Sequence, residues 1–241
     1  MKSKSVEKID SITNHPIKRL FGRRKGRPLR TGKRMLMETR LPTLRLALDE
    51  TTRVPPQTFF DAPPAAPVWL EVGFGGGEHL AAQAKKNPAV CFIGCEPFIN
   101  GVASLLNLIE EKKLTNIRIF DDDARRVLDS LEDASIERCF VLFADPWPKK
   151  RHADRRFIGP ENLDRLSRVL KPNGLLRLAS DHPSLVAWMR ESLASHPDFV
   201  CTHAAQTPPD DWVPTRYQKK ADAAGRPSFF MDYRRKEDAT A

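Results

Sequence analysis

The stretch Leu70-Glu71-Val72-Gly73-Phe74-Gly75-Gly76-Gly77-Glu78 decides how this chain of 241 residues is interpreted. Its apolar start predicts a strand, and its glycines let the backbone turn sharply and approach a bound molecule closely. A dinucleotide fingerprint requires GxGxxG, but Glu78 or Leu80 stands where the last glycine is needed. The pattern E-x-G-x-G-x-G therefore excludes NAD. It indicates a nucleoside cofactor without a pyrophosphate, because Glu71 and Glu78 disfavour phosphate nearby.

Short apolar runs alternate with longer amphipathic stretches around and beyond this loop. The candidate strands are Val68–Val72, Val90–Cys95, Ile117–Phe120, Cys139–Ala144, Leu175–Ala179 and Phe229–Tyr233. The candidate helices are Glu78–Lys86, Ile99–Lys113, Ala124–Leu131, Glu161–Leu170 and Ser184–Ala194. Strands that are apolar throughout predict an α/β fold with a doubly wound, mostly parallel sheet covered on both faces. Ligands of such sheets bind beyond the carboxyl ends of the strands, so functional residues are expected there.

The formal net charge of +9 originates in the N-terminal part of the chain. Residues 1–40 contain 13 Lys and Arg against 3 Asp and Glu, whereas the remaining residues are close to balanced. The centre of this part, FGRRKGRPLRTGKR at Phe21–Arg34, has little apolar periodicity. It predicts a basic, partly disordered arm that forms no packed element alone. Polyanion binding is the favoured interpretation. A solubility tail and mitochondrial targeting are alternatives, and Glu7 and Asp10 weaken the second.

A proline-rich segment follows the arm. Val54–Pro67 contains five prolines and cannot continue a helix or a central strand. We therefore expect residues 1–67 to be the arm and its lead-in, and residues 68–241 to be one domain.

Cysteines and hydropathy exclude several classes of protein. The longest apolar run, Cys139–Ala144, is far shorter than the ~18 residues that span a bilayer. The N-terminus lacks the apolar region of a secretory signal. The four cysteines show no zinc spacing and are expected to be mostly buried small side chains. We expect no metal, no membrane association and a cytoplasmic location.

Acidic residues follow the first three predicted strands. Glu96 lies 25 residues after Glu71, at the end of the second strand, where a carboxylate can accept both hydroxyls of a ribose. Asp121–Asp123 follow the third strand, and one of them can meet an adenine amino group. The alternative is that each of these acids is a helix N-cap or a partner of the dipole at a helix N-terminus. This is the favoured interpretation for Asp121 and Asp122, but not for Glu71 or Glu96.

The fourth strand opens into DPWPKKRHADRR, at Asp145–Arg156. A carboxylate, an aromatic plane and five basic residues in one stiff loop are typical of a site that reads an unstacked base beside phosphates. The alternative for Trp147 is a core position. His152 is expected to stay neutral among the cations and to make a polar contact. The loop alone also resembles that of amino-group methyltransferases.

These motifs together resemble those of the bacterial tRNA (guanine-N7)-methyltransferases, which are class I S-adenosylmethionine-dependent enzymes with a Rossmann-like fold. The resemblance covers about residues 68–235 and rests on EVGFGGG, Glu96, Asp123, DPWPKKRH, Asp181 and Thr215–Gln218. The FGRRKGRPL stretch is also similar to the N-terminal segments of that family. The sequence departs from the family at Gln218, where the tetrad usually ends in Glu; Gln218 keeps an acceptor but loses the charge.

The resemblance implies a role for each matching residue. The implied cofactor contacts are Glu71, Gly73, Gly75, Gly77, Glu96, Asp123 and Asp145, and Asp145 is also the implied catalytic acid. The implied substrate contacts are Lys149, Asp181, Thr215, Arg216, Tyr217 and Gln218. The implied RNA contacts are Arg151, His152, Arg155 and Arg156.

The implied activity is methylation of guanine N7 in the variable loop of tRNA, by direct displacement from S-adenosylmethionine. No obligate protein partner is implied, and the protein is expected to be a monomer or a homodimer. Asp145 and Asp181 are expected to accept hydrogen bonds from the N1 and N2 edge of guanine. Two alternatives remain: a methyltransferase acting on an exocyclic amino group of RNA, and a non-catalytic RNA-binding protein on the same fold.

Overall fold

The computed structural model describes residues 20–49 and 51–237. Residues 1–19 of the basic arm therefore lie outside the described residues. The strands are β1 Val68–Val72, β2 Cys91–Cys95, β3 Ile117–Phe120, β4 Ile136–Leu142, β5 Leu170–Ser180, β6 Phe199–Ala205 and β7 Phe229–Arg235. The helices are α1 Thr31–Thr39, α2 Leu41–Leu44, α3 Glu78–Lys86, α4 Ile99–Lys112, α5 Ala124–Ser130, α6 Pro160–Val169, α7 Pro183–Ala194 and α8 Arg216–Ala223.

The strands form one sheet of seven in the order β3-β2-β1-β4-β5-β7-β6. Strands β1 to β5 are parallel, and β7 inserts antiparallel between β5 and β6. In the centre, Leu70 of β1 is paired with Ile93 of β2 and Cys139 of β4. The order reverses at β1 and β4, so the carboxyl ends of these strands form the crevice in which doubly wound sheets bind ligands. The predicted doubly wound, mostly parallel sheet is confirmed.

Each face of the sheet has its own hydrophobic core, because alternate strand residues point to opposite faces. On one face, Val68 and Leu70 of β1 pack with α5, α6 and α7. On the other face, Trp69 packs with α2, α3 and α4. Helices on both faces explain why the central strands are apolar throughout.

Several element boundaries differ from the sequence predictions. β4 begins at Ile136 and ends at Leu142 rather than covering residues 139–144, because Phe143 has a φ of 54° and leaves the strand. β6 was not predicted, since it is an edge strand with few buried side chains. α8 was not predicted either: only Ala221 of this helix is buried, so no apolar periodicity marks it.

The described part of the N-terminal arm packs against the sheet and α4. Thr31–Thr39 form α1, which has no fully buried residue. Its side chains Leu36 and Met37 are partly buried and pack against the core that contains Trp69. Further along, the amide of Leu46 donates to the carbonyl of Ile119 at 2.8 Å. Thr31–Arg34 were expected to form no packed element, but they are the first residues of α1. The apolar residues that follow position 34 extend this helix, which packs against α4. The division of the chain at residue 67 stays a prediction.

Within residues 20–49 and 51–237, none of the helices combines the length and the apolar character that crossing a membrane requires.

Candidate active site

A cavity of about 740 Å³ opens at the carboxyl ends of β1, β2 and β4. The predicted site residues that line it are Gly73, Gly75, Glu96, Asp123, Asp145, Arg155, Arg156 and Tyr217. The fold therefore brings the glycine loop, the acids after three strands and part of the basic loop to one place. Residues Leu20–Arg23 of the arm form part of the same wall.

Glu96 holds the glycine loop against the start of α4. Its Oε2 accepts a hydrogen bond from the amide of Gly75 at 2.7 Å, and its Oε1 accepts one from the amide of Phe98 at 2.9 Å. Burial raises the pKa of Glu96, the two amide hydrogen bonds oppose this rise, and the charges of Asp145 and Glu71 add to it. Glu96 is therefore a buried carboxylate at the wall of the cavity, within electrostatic range of two other acids.

Glu71 lies beneath the loop and is not part of the cavity wall. It is 3% exposed, and its Oε2 is 2.7 Å from Nδ1 of His79 on α3. Nε2 of His79 lies 3.3 Å from the side-chain amide of Gln83. Gly77 begins α3 with a φ of 80°, and a Cβ there would lie 2.7 Å from the side chain of Leu105. Only glycine therefore fits this turn.

Asp123 is the member of the acidic triplet that faces the cavity. It also caps α5, accepting from the amide of Arg125 at 3.1 Å, and both of its carboxylate oxygens accept from the Arg125 guanidinium. The expectation that Asp121 or Asp122 caps the helix is wrong, because Asp123 is the N-cap of α5, whereas a role as partners of the helix dipole stays a prediction. Their carboxylates turn outward to form ion pairs, Asp121 with Arg45, and Asp122 with Arg24 and Arg126.

Asp145 lies three residues after the end of β4 and is exposed on the cavity wall. The loop after it is held from below by Arg156, whose Nε donates to the carbonyl of Pro146 at 3.1 Å and whose Nη2 donates to that of Trp147 at 3.2 Å. Trp147 has a φ of 40°, a conformation that non-glycine residues rarely adopt. The stiff loop therefore presents a carboxylate and an indole side by side.

Aromatic and cationic side chains cluster around Trp147. The guanidinium of Arg155 lies 5.0 Å from the centroid of the Trp147 ring and 4.5 Å from that of Phe21. The rings of Phe21 and His152 approach Trp147 edge-on, at 6.4 and 5.8 Å. Trp147 is half-buried and lines the cavity, so it is not a core residue. The pKa of His152 is lowered, first by desolvation and then by Arg155, Arg151 and Lys149.

Of the predicted substrate residues, Tyr217 is the one that lines the cavity. Its neighbours serve helix α8: Oγ1 of Thr215 accepts from the amide of Gln218 at 3.0 Å, and Arg216 is exposed. Oε1 of Gln218 accepts from Nε1 of Trp212 at 2.7 Å. Asp181 does not line the cavity and accepts from Nε of Arg226 at 2.8 Å. The predicted contacts Lys149 and Arg151 lie outside the cavity on an exposed part of the loop.

Sequence reasoning missed three residues that complete this site. His79 is the buried partner of Glu71, Arg125 is the partner of Asp123, and Phe21 forms part of the cavity wall. Arg125 lies two residues after Asp123, a spacing that allows a side chain to return to a helix cap. Phe21 is the one aromatic residue in the basic stretch FGRRKGRPLR, which was a signal for an aromatic contact.

The fold and the site together define a methyltransferase of the doubly wound class. A family model described as "Putative methyltransferase" matches residues 65–231, which is more than half of the chain. The chain belongs to the family of the tRNA (guanine-N(7)-)-methyltransferases, as its similarity to curated proteins of that name demonstrates.

Two curated relatives and one solved structure illustrate the relationship. The tRNA (guanine-N(7)-)-methyltransferase of Paramagnetospirillum magneticum is 50% identical over 97% of this chain and 98% of its own length. The protein of the same name from Rhodospirillum rubrum is 46% identical, over 92% of this chain and 89% of its own. The crystal structure of the 16S rRNA methyltransferase KamB shares the fold with a TM-score of 0.52, at 17% identity, covering 71% of this chain and 88% of that one.

Proposed function

We propose that this enzyme methylates N7 of a guanine in tRNA, with S-adenosylmethionine as the methyl donor. The observation that carries the proposal is the single cavity in which Glu96, Asp123 and Asp145 meet the Trp147 and Arg155 pair. Membership of the family supports the choice of substrate, because the curated relatives bear that name.

The residues of the cavity fit the proposed donor. A volume of about 740 Å³ is within the range of sites that hold small molecules, and it leaves room for a nucleoside and a second base. Glu96 would accept the hydroxyls of the ribose, and Asp123 would accept from the adenine amino group. Among the acids of the triplet, Asp123 is favoured because it lines the cavity, whereas Asp121 and Asp122 do not. When bound, S-adenosylmethionine supplies an electrophilic methyl group on a positively charged sulfur.

The chain does not have to activate the nucleophile. N7 of guanine carries a lone pair in the plane of the ring and no proton, so a general base is not needed for the attack. The task of the protein is to hold the base in the correct orientation, which can lower the activation free energy by several kcal/mol. The Trp147 ring and the Arg155 guanidinium offer stacking surfaces for an unstacked base.

Asp145 is the group placed to stabilise charge on the base. Positive charge develops on the purine as N7 is methylated, and a fixed carboxylate nearby lowers the energy of that state. Asp145 would also accept from the N1 and N2 edge of the guanine. Asp181 is the second candidate for this edge, although its carboxylate is paired with Arg226 in this structure.

The cations around the cavity would hold the RNA backbone. Arg23 of the arm and Arg155 of the loop line the cavity, and exposed arginines such as Arg24 and Arg151 lie near them in the sequence. Contacts of this kind position an RNA without reading its sequence. The variable loop is proposed as the modified region, on the resemblance of DPWPKKRH to the family motif.

The decisive experiment is to map the nucleosides of tRNA incubated with the protein and methyl-labelled S-adenosylmethionine. We expect 7-methylguanosine as the labelled product by mass spectrometry. Borohydride and aniline treatment should cleave the tRNA at that site, because only the N7 product is a cation prone to strand scission. Label on an exocyclic amino group would indicate the alternative methyltransferase. No label together with no calorimetric binding of S-adenosylmethionine would indicate a non-catalytic RNA-binding protein.

A further inference from the structure

Tyr217 lies where the glycine loop meets the proposed substrate side of the cavity. A Cβ at Gly75 would be 3.0 Å from Cε2 of Tyr217, so the phenol ring lies directly against the loop. Burial first, and then the carboxylates of Glu96 and Asp145, raise the pKa of Tyr217. The residue is nevertheless 48% exposed. Core packing alone therefore does not fix its position.

Helix α8, which carries Tyr217, is weakly anchored by its own side chains. Ala221 is its one buried residue. Besides the backbone bond from the amide of Lys219 to the carbonyl of Thr215, two side-chain hydrogen bonds hold its first turn: the amide of Gln218 donates to Oγ1 of Thr215, and Oε1 of Gln218 accepts from Nε1 of Trp212. The first of these two lies within the turn itself. The second connects the turn to the rest of the protein.

Trp212 is well anchored. Its ring packs edge-on against Phe230 of β7 with the centroids 4.7 Å apart, and it lies 6.1 Å from the His79 ring. The preceding residue, Asp211, forms ion pairs with Arg177 at 2.7 Å and with Arg138 at 3.0 Å. Although burial raises the pKa of Asp211, these two arginines lower it overall, as expected for a carboxylate held in its charged form.

We propose that Trp212 is a positioning residue, which holds Gln218 through its indole N–H and thereby sets Tyr217 against the glycine loop. Its contact with His79, the partner of Glu71, joins the cofactor side of the site to α8. The proposal rests on the proposed function for the identity of the substrate. It also gives Gln218 a role within the protein rather than a contact with the base.

The chemistry of the pair explains why Gln218 can stand where the family usually has Glu. An indole N–H only donates, so it requires an oxygen acceptor from its partner. Glutamine and glutamate both provide that oxygen, whereas leucine provides none. The structure therefore predicts that Gln218→Glu preserves the contact and that Gln218→Leu removes it. Trp212→Phe keeps most of the ring and removes the donor.

The first test needs no enzymatic activity. The sequence contains only two tyrosines, Tyr217 and Tyr233, so 3-fluorotyrosine labelling gives two ¹⁹F resonances. We expect Trp212→Phe and Gln218→Leu to shift the Tyr217 resonance and to leave that of Tyr233 in place, while Gln218→Glu shifts neither. An unchanged Tyr217 resonance in Trp212→Phe would overturn the proposal whether or not the protein methylates tRNA.

The second test uses methylation of tRNA. We expect Trp212→Phe and Gln218→Leu each to lower kcat/KM by about twofold to tenfold, the range of one hydrogen bond. The double variant should lose no more than either single one, and Trp212→Phe should have no effect when Tyr217 is already alanine. Additive losses would contradict the proposal. An inactive wild-type protein would instead count against the proposed function.

A matched control separates positioning from stability. Trp69 lies in the same core and donates its indole N–H to Glu137 at 3.0 Å. Its ring also lies 4.3 Å from the guanidinium of Arg138, the partner of Asp211, and phenylalanine at this position keeps a ring for that contact. Trp69→Phe should lower the melting temperature and leave kcat/KM unchanged. If it lowers kcat/KM as much as Trp212→Phe does, the effect of Trp212 is merely structural and the proposal fails.

Discussion

The carboxylate of Glu96 bridges the backbone amides of Gly75 and Phe98, at 2.7 and 2.9 Å. One acid thereby joins the glycine loop to the N-terminus of α4 while it lines the cavity. A residue with this position has two tasks, to shape the site and to bind the proposed cofactor. Substitution of Glu96 is therefore expected to alter the protein even when no ligand is added.

Glu96→Gln should change the pH dependence of stability in the protein without added cofactor. The pKa of Glu96 is raised in the folded state above its ordinary value of 4.5, so the folded protein binds more protons than the unfolded one in the window above 4.5. The contribution of this group to stability is therefore present at lower pH and lost as the pH rises through the folded pKa. Glutamine cannot ionise, so the variant does not undergo this loss. The free energy of unfolding of the variant, relative to that of wild type, should therefore increase from pH 4 to pH 7. Urea titrations at several pH values measure this difference, and a constant difference would contradict the prediction.

Asp145→Asn should lower the turnover number more than it weakens cofactor binding. The asparagine has a similar size, but it cannot provide a negative charge for the developing cation. Loss of such a group costs about 100-fold in kcat. Single-turnover methylation and calorimetry with S-adenosylmethionine separate the two effects. Full turnover in this variant would show that the carboxylate has no such role.

Cations of the arm should contribute to tRNA binding through interactions with phosphates. Lys25, Arg27 and Arg30 are exposed and follow closely in the sequence on Leu20–Arg23, which line the cavity. Changing all three to glutamine should weaken binding and make the slope of log K against log salt shallower, by about 0.7 to 0.9 for each phosphate that the variant no longer neutralises. Filter binding at several salt concentrations measures the slope. Complete deletion of residues 1–34 is a less specific test, because it also removes half of α1 and part of the cavity wall.

The control for the arm is a group of lysines at the other end of the strands, where the amino ends of the parallel strands lie. Lys85, Lys86 and Lys112 are at the C-terminal ends of α3 and α4, away from the carboxyl ends of the strands. The same triple change to glutamine there should leave both affinity and slope unchanged. Equal effects of the two triple changes would indicate a general charge effect rather than a binding surface.

The buried ion pair between Arg177 and Asp232 should be important for stability. Nε and Nη2 of Arg177 donate to the two oxygens of Asp232 at 2.8 and 2.7 Å, and both residues are buried. Although burial lowers the pKa of Arg177, Asp232 and Asp211 raise it overall. Asp232→Ala should therefore leave a buried charge with too few partners and cost about 3 kcal/mol in the free energy of unfolding. Urea denaturation measures this loss.

Two variants provide the comparison for the buried pair. Replacing Arg177 by methionine and Asp232 by leucine together should cost less than Asp232→Ala alone, because no buried charge remains. Glu110→Ala, which breaks the exposed pair with Arg40, should cost less than about 1 kcal/mol. A larger loss from Glu110 than from Asp232 would be inconsistent with the burial argument.

The central part of the fold could be predicted from the sequence because its physical signals are strong. Strands covered on both faces are continuous apolar runs, and β1 and β3 were predicted with their observed boundaries. The strand ends then identified Glu96 and Asp145 as residues of one site. β6 and α8 gave no comparable signal, because an edge strand and an exposed helix bury too few side chains for a periodic pattern.

The hydrogen-bond and ring partners of several site residues were beyond sequence reasoning. The capping role of Asp123 depends on where α5 begins, a boundary that propensity fixes only approximately. The pairing of Trp212 with Gln218 and its contact with His79 depend on the tertiary position of the loop before α8. Such contacts follow from the tertiary structure, so no local pattern announces them.

Two ion pairs that fasten the arm have a consequence for how binding experiments are read. Arg24 with Asp122, and Arg45 with Asp121, are partly exposed, so dissolved ions weaken them as they weaken interactions with phosphate. Raising the ionic strength therefore weakens two sets of interactions at once: the ion pairs that hold the arm on the protein and the contacts of the arm with a nucleic acid. The steepness of a salt titration then reports both processes, and the number of phosphates touched is smaller than the uncorrected slope suggests.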